Sequence, residues 1–261
     1  MTKTLVQAGQ FRGAKSQPLR NVLIYAPTII WVNQGHKKLW WHDEPRHYTQ
    51  EDWLVVPANH HLTFVNEPSH VAFYSRTLTF LVPPPAEWLE ESRQKKPDHE
   101  PRLSVTPPLA YCFELLFGMK DKELSIETQQ QFLLGFYAEL KQLGSLHLLF
   151  PGKAGSIRER LASYLSLNPG EPHNVESVAS HFSMSPATLK RKLAAETTSF
   201  RQILTQIRMG YALSLMQKSG NQLNVALTCG YQSEVRFAHR FKDTFGLTPK
   251  EYVQTLCTQV T

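Results

Sequence analysis

The chain has 261 residues, which is enough for two domains that each bury a core of their own. Its formal net charge is +6 at pH 7, and its 3 cysteines (Cys112, Cys229 and Cys257) have neither CxxC nor Cys/His ligand spacing, which argues against a disulfide framework and is typical of the reducing cytoplasm. Residues 1–20 lack a continuous apolar core and no run of about 18 apolar residues occurs, so we expect neither a signal peptide nor a membrane span.

Residues 21–82 have the composition of short β-strands. Branched and aromatic residues are concentrated in 29–33, 53–57, 62–65 and 71–74, and polar turns separate these runs. Short strands at regular spacing predict a small barrel or sandwich.

The β region contains five histidines that could in principle be metal ligands: His36, His42, His47, His60 and His61. A metal-dependent oxygenase needs clustered His and Glu ligands, and no HxH followed by a nearby Glu occurs here. Because His60 and His61 are adjacent, they would face opposite sides of a strand. We therefore expect no metal, no cofactor and no catalytic residue.

A pocket for a small-molecule effector fits the same region better. Aromatic side chains would stack on a ligand and an arginine would bind an anionic group. Each candidate would also fit an ordinary core or surface position. The candidate ligand-binding residues are Tyr25, Trp31, Trp40, His60, Phe73 and Arg76.

The region after the prolines at 83–85 is predicted to be an exposed charged loop over 90–101, followed by helices near 107–118 and 126–147. The second helix has an apolar face that would fit a dimer partner, although packing on its own barrel explains that face nearly as well. The dimerisation candidates are Leu133, Phe136, Leu140 and Leu143.

Pro and Gly residues break the pattern at 151–156, which predicts a linker between an N-terminal domain over 1–150 and a C-terminal domain over 157–261. Residues 151–261 contain 13 Lys and Arg against 7 Asp and Glu, a difference of +6 that equals the net charge of the whole chain. A basic domain favours a polyanionic partner, although a solvated basic surface would have the same composition.

Two segments of the C-terminal domain follow the same plan of capped helix, tight turn and second helix. In the first, Asn174 is the N-cap and Ser183-Met184 makes the turn, and Ser185-Pro186 starts the second helix. In the other, Asn221 is the N-cap, Gly230 supplies the turn and Ser233 caps the next helix.

A helix predicted over about 199–218 joins the two units. Twenty residues at about 1.5 Å each give a rod of about 30 Å, close to the roughly 34 Å between successive major-groove faces of DNA. Each second helix presents polar and basic residues on its outer face, where phosphate and base contacts form. The DNA-binding candidates are Ser185, Ala187, Thr188, Lys190, Arg191, Ser233, Glu234, Arg236, His239, Arg240 and Lys242.

Residues 156–256 resemble the AraC/XylS family of bacterial transcription regulators. The second unit carries the more specific part of the resemblance: Val225-Ala226, Gly230-Tyr231, Ser233, Phe237, Arg240-Phe241-Lys242, Phe245-Gly246, Thr248-Pro249 and Tyr252. The first unit and the connecting helix match at Val178-Ala179, Met184-Ser185, Leu189, Arg191, Phe200 and Arg208. The sequence Leu-Lys-Arg-Lys-Leu is also similar to that of the branch of this family which contains acid-stress and virulence activators of enteric bacteria.

Two positions depart from the family pattern. Thr198 stands where the family usually has glycine, which predicts a different turn before the long helix. Gln222 replaces a usual isoleucine, and Leu223 is expected to take over its packing role.

The resemblance implies an α+β multidomain protein. Residues 34–58 are similar to the cupin-like sensor barrel often fused to this DNA-binding domain, so the fold expected is a cupin-like β-barrel with two dimerisation-type helices, followed by an all-α tandem helix-turn-helix domain. The implied partners are double-stranded DNA and RNA polymerase, with a small-molecule effector or a homodimer as further possibilities and no membrane.

The expected function is a cytoplasmic transcription activator, with a repressor or an effector-independent regulator as alternatives. A DNA-repair enzyme built on the same module would need a zinc-bound nucleophilic cysteine, which the cysteine spacing does not provide. A stand-alone ligand-binding protein is the other rival, and a DNA footprint over two adjacent major grooves distinguishes it.

Overall fold

The computed structural model describes residues 4–41, 44–95, 101–151, 156–218 and 222–256. The strands are β1 (Val6–Gly13), β2 (Gln17–Ile24), β3 (Thr28–Gln34), β4 (His36–Trp41), β5 (Glu44–Tyr48), β6 (Asp52–Val56), β7 (His60–Glu67), β8 (Phe73–Phe80) and β9 (Arg102–Ser104). The helices are α1 (Ala86–Lys95), α2 (Pro107–Gly118), α3 (Ile126–Gln142), α4 (Leu146–Leu149), α5 (Ile157–Leu167), α6 (Val175–His181), α7 (Pro186–Ala195), α8 (Phe200–Met216), α9 (Gln222–Thr228), α10 (Glu234–Phe245) and α11 (Pro249–Val253). No helix in these segments is long and apolar enough to cross a membrane.

The strands form two antiparallel sheets that face each other. One has the order β1-β8-β3-β6-β9 and the other the order β2-β7-β4-β5. Ile30, Val56 and Phe73 from the first sheet share one buried apolar cluster with Leu39 and Phe64 from the second. The predicted barrel-like β domain followed by a helical domain is confirmed. The sequence had not indicated β1 or most of β2.

The five-stranded sheet is also covered on its outer face. Ile29, Trp53 and Val55 point away from the barrel interior into a second apolar cluster that includes residues of α1–α4. Neighbouring residues such as Ile29 and Ile30 therefore serve different cores, as the period of two in a strand requires. The segment 90–101 was predicted to be a loop, but α1 extends through residue 95 and buries Leu89.

The apolar face of α3 packs within its own chain. Leu133, Phe136 and Leu140 are at most 2% exposed and belong to the cluster on the outer face of the five-stranded sheet, whereas Leu143 is 42% exposed. The prediction that these residues form a dimer contact was therefore wrong for the first three, because their area is already buried. The helix predicted over 126–147 ends at residue 142, and α4 follows after a turn.

The helical domain packs directly on the barrel. Its helices α8 and α10 contact β1 and β2, and Leu213 and Phe237 join the same apolar cluster as the barrel interior. At the border, Gln206 Nε2 lies 3.1 Å from His61 Nε2. Residues 152–155 of the predicted linker lie outside the described segments.

Candidate nucleic-acid interface and ligand cavity

The first helix-turn-helix unit consists of α6 and α7. The Asn174 side chain caps α6 by accepting a hydrogen bond of 2.8 Å from the Ser177 N–H. Ser183 takes a left-handed backbone conformation, with φ of 54°, and thereby makes the turn. The Ser185 hydroxyl then accepts from the Thr188 N–H at 3.1 Å, and Pro186 stands at the first helical position. The predicted turn and cap are confirmed.

The second unit, α9 and α10, repeats this geometry. Gly230 is the left-handed residue, with φ of 77°, and the Tyr231 N–H donates to the Ala226 carbonyl at 3.0 Å. Ser233 caps α10 through the Arg236 N–H at 3.3 Å. At the other end, Gly246 closes α10 in a left-handed conformation with φ of 88°. The predicted N-cap Asn221 lies outside the described residues.

The two second helices bury one face and expose the other. Leu189 and Leu193 of α7 belong to a cluster with α5, α6 and α8, whereas Phe237, Phe241 and Phe245 of α10 belong to the cluster continuous with the barrel. The inner faces of α7 and α10 thus enter different cores rather than packing against each other. Their outer faces remain available to a ligand.

The predicted DNA-binding residues occupy those outer faces. Thr188 and Ser233 are half-buried because they take part in the caps. Within the described segments, none of the cations among them forms an intramolecular ion pair. The exposed residues are Ser185, Ala187, Lys190, Arg191, Glu234, Arg236, His239, Arg240 and Lys242.

Arg208 of α8 connects the loops of the two units. Its guanidinium donates to the carbonyl oxygens of Pro169 at 3.0 Å, Glu171 at 2.9 Å and Gly230 at 3.4 Å. The first two carbonyls precede α6 and the third follows α9. Arg208 therefore fixes the relative position of the two units from the helix that joins them. That helix has 17 residues, or about 25 Å, and is shorter than predicted.

The two departures from the family pattern have local consequences. After α7 the left-handed residue is Thr197, with φ of 54°, and the Thr198 N–H donates back to the Leu193 carbonyl at 3.0 Å, which closes the helix. Leu223 is 49% exposed, so the prediction that it replaces the core isoleucine was wrong.

An apolar cavity of about 250 Å³ lies between the barrel and the helical domain. Phe11, Ile24 and Phe64 line it from the barrel, and Ile207 and Tyr211 line it from α8. Its position means that a bound molecule would contact both domains at once.

Lys37 of β4 lines this cavity from the barrel interior and is 2% exposed. Its ammonium donates to the Asn66 side-chain oxygen and lies 3.5 Å from the centre of the Phe64 ring. Within the described residues no carboxylate pairs with it. Burial lowers the pKa of Lys37 to about 7. A cation held among apolar groups has a strong preference for an incoming anion.

Tyr25 lines this cavity, whereas the other predicted ligand residues do not. The Tyr25 hydroxyl donates to Gln7, and burial raises the pKa of Tyr25. His60 lines a separate cavity of about 410 Å³ near α5, which Tyr25 also reaches. Phe73 is fully buried in the barrel, and Trp40 is 39% exposed on its surface.

Arg76 and Trp31 lie in a different structural cluster. The Arg76 guanidinium forms two hydrogen bonds of 2.6 Å with Glu114 and lies 5.0 Å from the Trp31 ring centre. Arg76 is therefore already paired with a carboxylate. Lys37 was not among the residues predicted from the sequence, although the period of two places it on the same strand face as the buried Leu39.

Comparison with known proteins places the helical region among helix-turn-helix domains. A family model described as "Helix-turn-helix domain" matches residues 178–255. The HTH-type transcriptional regulator GadX of Escherichia coli K12 is 38% identical over 98 residues, which are 37% of this chain and 36% of GadX. The regulator AdiY of the same organism is 43% identical over 81 residues, 31% of this chain and 32% of AdiY. The chain thus spans about a third of the length of these curated relatives.

Solved structures match both domains together. ToxT from Vibrio cholerae has a TM-score of 0.61 and 16% sequence identity, covering 98% of this chain and 100% of ToxT. A structure of wild-type ToxT with a bound unsaturated fatty acid has a TM-score of 0.57 and 18% identity, covering 98% of this chain and 97% of that one. These similarities show a shared fold, with the barrel and the helical region in the same order.

Proposed function

We propose that the protein is a sequence-specific, DNA-binding regulator of transcription of the AraC type, because its helical region resembles that family and matches helix-turn-helix regulators over about a third of the chain. The observation that carries the proposal is the pair of capped units whose second helices, α7 and α10, expose cations that form no ion pair with any other described residue. Arginines and lysines placed in this way serve DNA backbones and base edges.

The proposed binding mode places α7 and α10 in successive major grooves on one side of the duplex. In helix-turn-helix proteins the N-terminal part of the second helix contacts base edges. Ser185, Ala187, Thr188 and Lys190 would contact one groove, with Arg191 beside them. The residues proposed for the next groove are Ser233, Glu234, Arg236, His239, Arg240 and Lys242.

Residues 1–150 and 157–261 are proposed to act as a sensor domain and a DNA-binding domain. The family resemblance favours an activator that works with RNA polymerase in the cytoplasm. Transcription in vitro from a promoter that contains the protein's selected site distinguishes activation from repression.

The first prediction concerns base reading by Arg236. On a duplex selected by the full-length protein from a random library, Arg236→Ala should weaken binding by about 1–3 kcal/mol and relax the preference at one base pair, because arginine forms bidentate hydrogen bonds with guanine. Lys250→Ala is the matched control, since it removes an exposed cation of α11 outside both second helices. Fluorescence anisotropy with the selected and mutated duplexes measures both effects, and an unchanged preference would exclude base reading by Arg236.

The second prediction concerns phosphate contact by Lys242. Lys242→Ala should weaken binding to all duplexes alike and should reduce the slope of log affinity against log salt by about 1, because one fewer counterion is released. Titrations at several salt concentrations measure that slope. A loss confined to one sequence would show that Lys242 reads a base instead.

The cavity between the domains is proposed to bind an apolar molecule that carries a carboxylate. The support is its apolar lining, the buried ammonium of Lys37 and the fold shared with a protein solved with an unsaturated fatty acid. A carboxylate would pair with Lys37 while the apolar tail fills the space between β2 and α8.

Oleic acid and methyl oleate provide a matched pair of probes for this proposal. The acid should bind the full-length protein at least about tenfold more tightly than the ester, a difference of about 1.4 kcal/mol, because the ester has no charge to pair with Lys37. Isothermal titration calorimetry of both compounds below their aggregation limits measures the difference. Equal affinities would show that Lys37 does not receive the carboxylate.

A further inference from the structure

Lys37, Asn66 and Gln17 lie side by side across three neighbouring strands. In the four-stranded sheet, Lys37 of β4 is directly opposite Asn66 of β7, and Asn66 is directly opposite Gln17 of β2. All three side chains point into the barrel and are at most 3% exposed. Buried polar residues are costly unless they are hydrogen-bonded, so this row across an otherwise apolar interior requires an explanation.

The three side chains form a continuous chain of hydrogen bonds that leaves the barrel. The Lys37 ammonium donates to Asn66 Oδ1. Asn66 Nδ2 donates to Gln17 Oε1 at 3.1 Å, and Gln17 Nε2 donates to Thr255 Oγ1 at 2.8 Å. Thr255 Oγ1 in turn donates to the carbonyl oxygen of Tyr252 at 2.6 Å. Every donor points in the same direction, from the cavity lysine to the end of α11.

The far end of this chain is attached to the second helix-turn-helix unit. The Thr255 carbonyl accepts hydrogen bonds from the backbone N–H groups of Ala14 at 2.8 Å and Lys15 at 3.3 Å, in the turn that precedes β2. The Tyr252 ring lies 6.0 Å from the ring of Phe241, on the buried face of α10. A displacement of Thr255 would therefore move α11, whose Tyr252 packs against α10.

We propose that Lys37, Asn66, Gln17 and Thr255 are a relay that couples the occupant of the cavity to the attachment of α11 and α10 to the barrel. This inference rests on the proposed function, whose effector site and DNA-contacting helix it connects. Hydrogen bonds aligned head to tail polarise one another, so the chain is strongest when it begins at a cation that donates fully to Asn66.

A carboxylate in the cavity would change the first link of the relay. The carboxylate would accept hydrogen bonds from the Lys37 ammonium. Among the described residues this ammonium now donates to Asn66 alone, and it would then be shared between Asn66 and the carboxylate. Weakening this link reduces the polarisation of Asn66, Gln17 and Thr255 in turn. The expected result is a looser contact between Thr255 and the turn before β2.

A double-mutant cycle followed by native-state hydrogen exchange tests the relay without any ligand. Lys37→Met should raise the exchange rates of the Ala14 and Lys15 amides by at least about threefold, because both amides donate to Thr255. In a Gln17→Met background, where the relay is already broken, Lys37→Met should no longer change these rates. If the two substitutions act independently, with the same ratio in both backgrounds, the relay is excluded.

A milder variant and a control complete the test. Thr255→Val removes the hydroxyl that accepts from Gln17 and donates to the Tyr252 carbonyl, and it leaves the backbone contacts of Thr255 intact. It replaces Gln17→Met if that variant does not fold. Asn59→Gly removes a different interdomain hydrogen bond, of 3.3 Å to Glu159, at a residue whose φ of 63° suits glycine. In the Asn59→Gly background, Lys37→Met should still raise the exchange rates of the Ala14 and Lys15 amides in full. If the rise is lost in this background too, any weakening of the interface abolishes it and the relay is not needed to explain the result.

Oleic acid provides a second test of the relay, through binding in the cavity rather than through substitution of Lys37. When bound to the wild-type protein it should raise the same two exchange rates, and in Gln17→Met or Thr255→Val it should bind without raising them. Failure of oleic acid to bind would contradict the proposed ligand class, whereas the mutant cycle would still decide the relay. Binding that raises the rates equally in wild type and in both variants would overturn the relay alone.

Discussion

Replacing Gly230 by alanine is expected to lower the free energy of unfolding by about 3 kcal/mol, because two costs coincide at this position. Its φ of 77° is a left-handed conformation that an L-residue adopts at a cost of about 1–2 kcal/mol. A Cβ there would also lie 2.7 Å from the Gly170 carbonyl oxygen and 2.7 Å from the Arg208 guanidinium.

Neither of these neighbours can move away at low cost. Arg208 is held by the carbonyl oxygens of Pro169 and Glu171 as well as that of Gly230. Gly170 itself lies so close to α9 that a Cβ on it would be 2.0 Å from the Thr228 carbonyl oxygen. The loop before α6 and the turn after α9 would have to separate, which also changes the relative position of the two units.

Gly210→Ala is the matched control for this prediction. Gly210 lies in the middle of α8, two residues after Arg208, and a Cβ there meets nothing within 4 Å. Because alanine favours a helix over glycine by about 1 kcal/mol, this variant should be more stable than wild type. Urea unfolding followed by circular dichroism compares the two variants, and equal stabilities would show that the Gly230 turn adapts freely.

The sequence predicted the helix-turn-helix units well because their determinants are local. Ser185 caps the residue three positions later, and the left-handed turn residue lies within a few positions of the helices it joins. The exposed and buried faces of α7 and α10 follow from helical period alone. The DNA-binding candidates therefore lie on the exposed faces or in the caps.

The N-terminal domain was harder to predict because its contacts are not local. β2 is irregular between Leu19 and Val22, where the register shifts and Asn21 has φ of 56°, so its alternation is interrupted. The sequence left the apolar stripe on α3 open between a dimer partner and its own barrel, because an amphipathic helix has the same sequence pattern whether its apolar face meets its own sheet or another chain. Only tertiary structure distinguishes these cases.

The relay residues escaped prediction for the same reason. Gln17, Asn66 and Lys37 are separated by tens of residues, and each is a polar residue of a kind usually found on the surface. Their alignment depends on the pairing of β2, β7 and β4. Apolar neighbours two positions away, such as Leu19, Phe64 and Leu39, are the available signal, since residues i and i+2 of a strand share a face.

Lys37→Met is the second variant with a large expected effect, and it acts on both stability and binding. Methionine fills a similar volume without a charge, so the variant should lose the preference for oleic acid over methyl oleate. Lys38→Met, on the opposite face of the same strand, controls for the removal of one positive charge and should keep that preference. Calorimetric titration of both variants with both compounds measures this part.

The effect of Lys37→Met on stability should depend on pH with a defined sign. In the folded protein the pKa of Lys37 is about 7, against an ordinary value of 10.5, because burial disfavours the charged form. Between these values the unfolded chain binds one more proton than the folded chain, so the free energy of unfolding of the wild type rises with pH. Below pH 7 the wild type bears the whole free-energy cost of burying the charged Lys37 ammonium. The stability of Lys37→Met relative to wild type should therefore be greatest, and constant, below pH 7 and fall by about 1.4 kcal/mol per pH unit above it. The substitution also leaves Asn66 Oδ1 without its Lys37 donor, which shifts the whole curve but does not change its slope. Urea unfolding of both proteins at pH 6, 7, 8 and 9 measures the slope, and a difference that stays constant above pH 7 would show that Lys37 remains charged in the folded barrel.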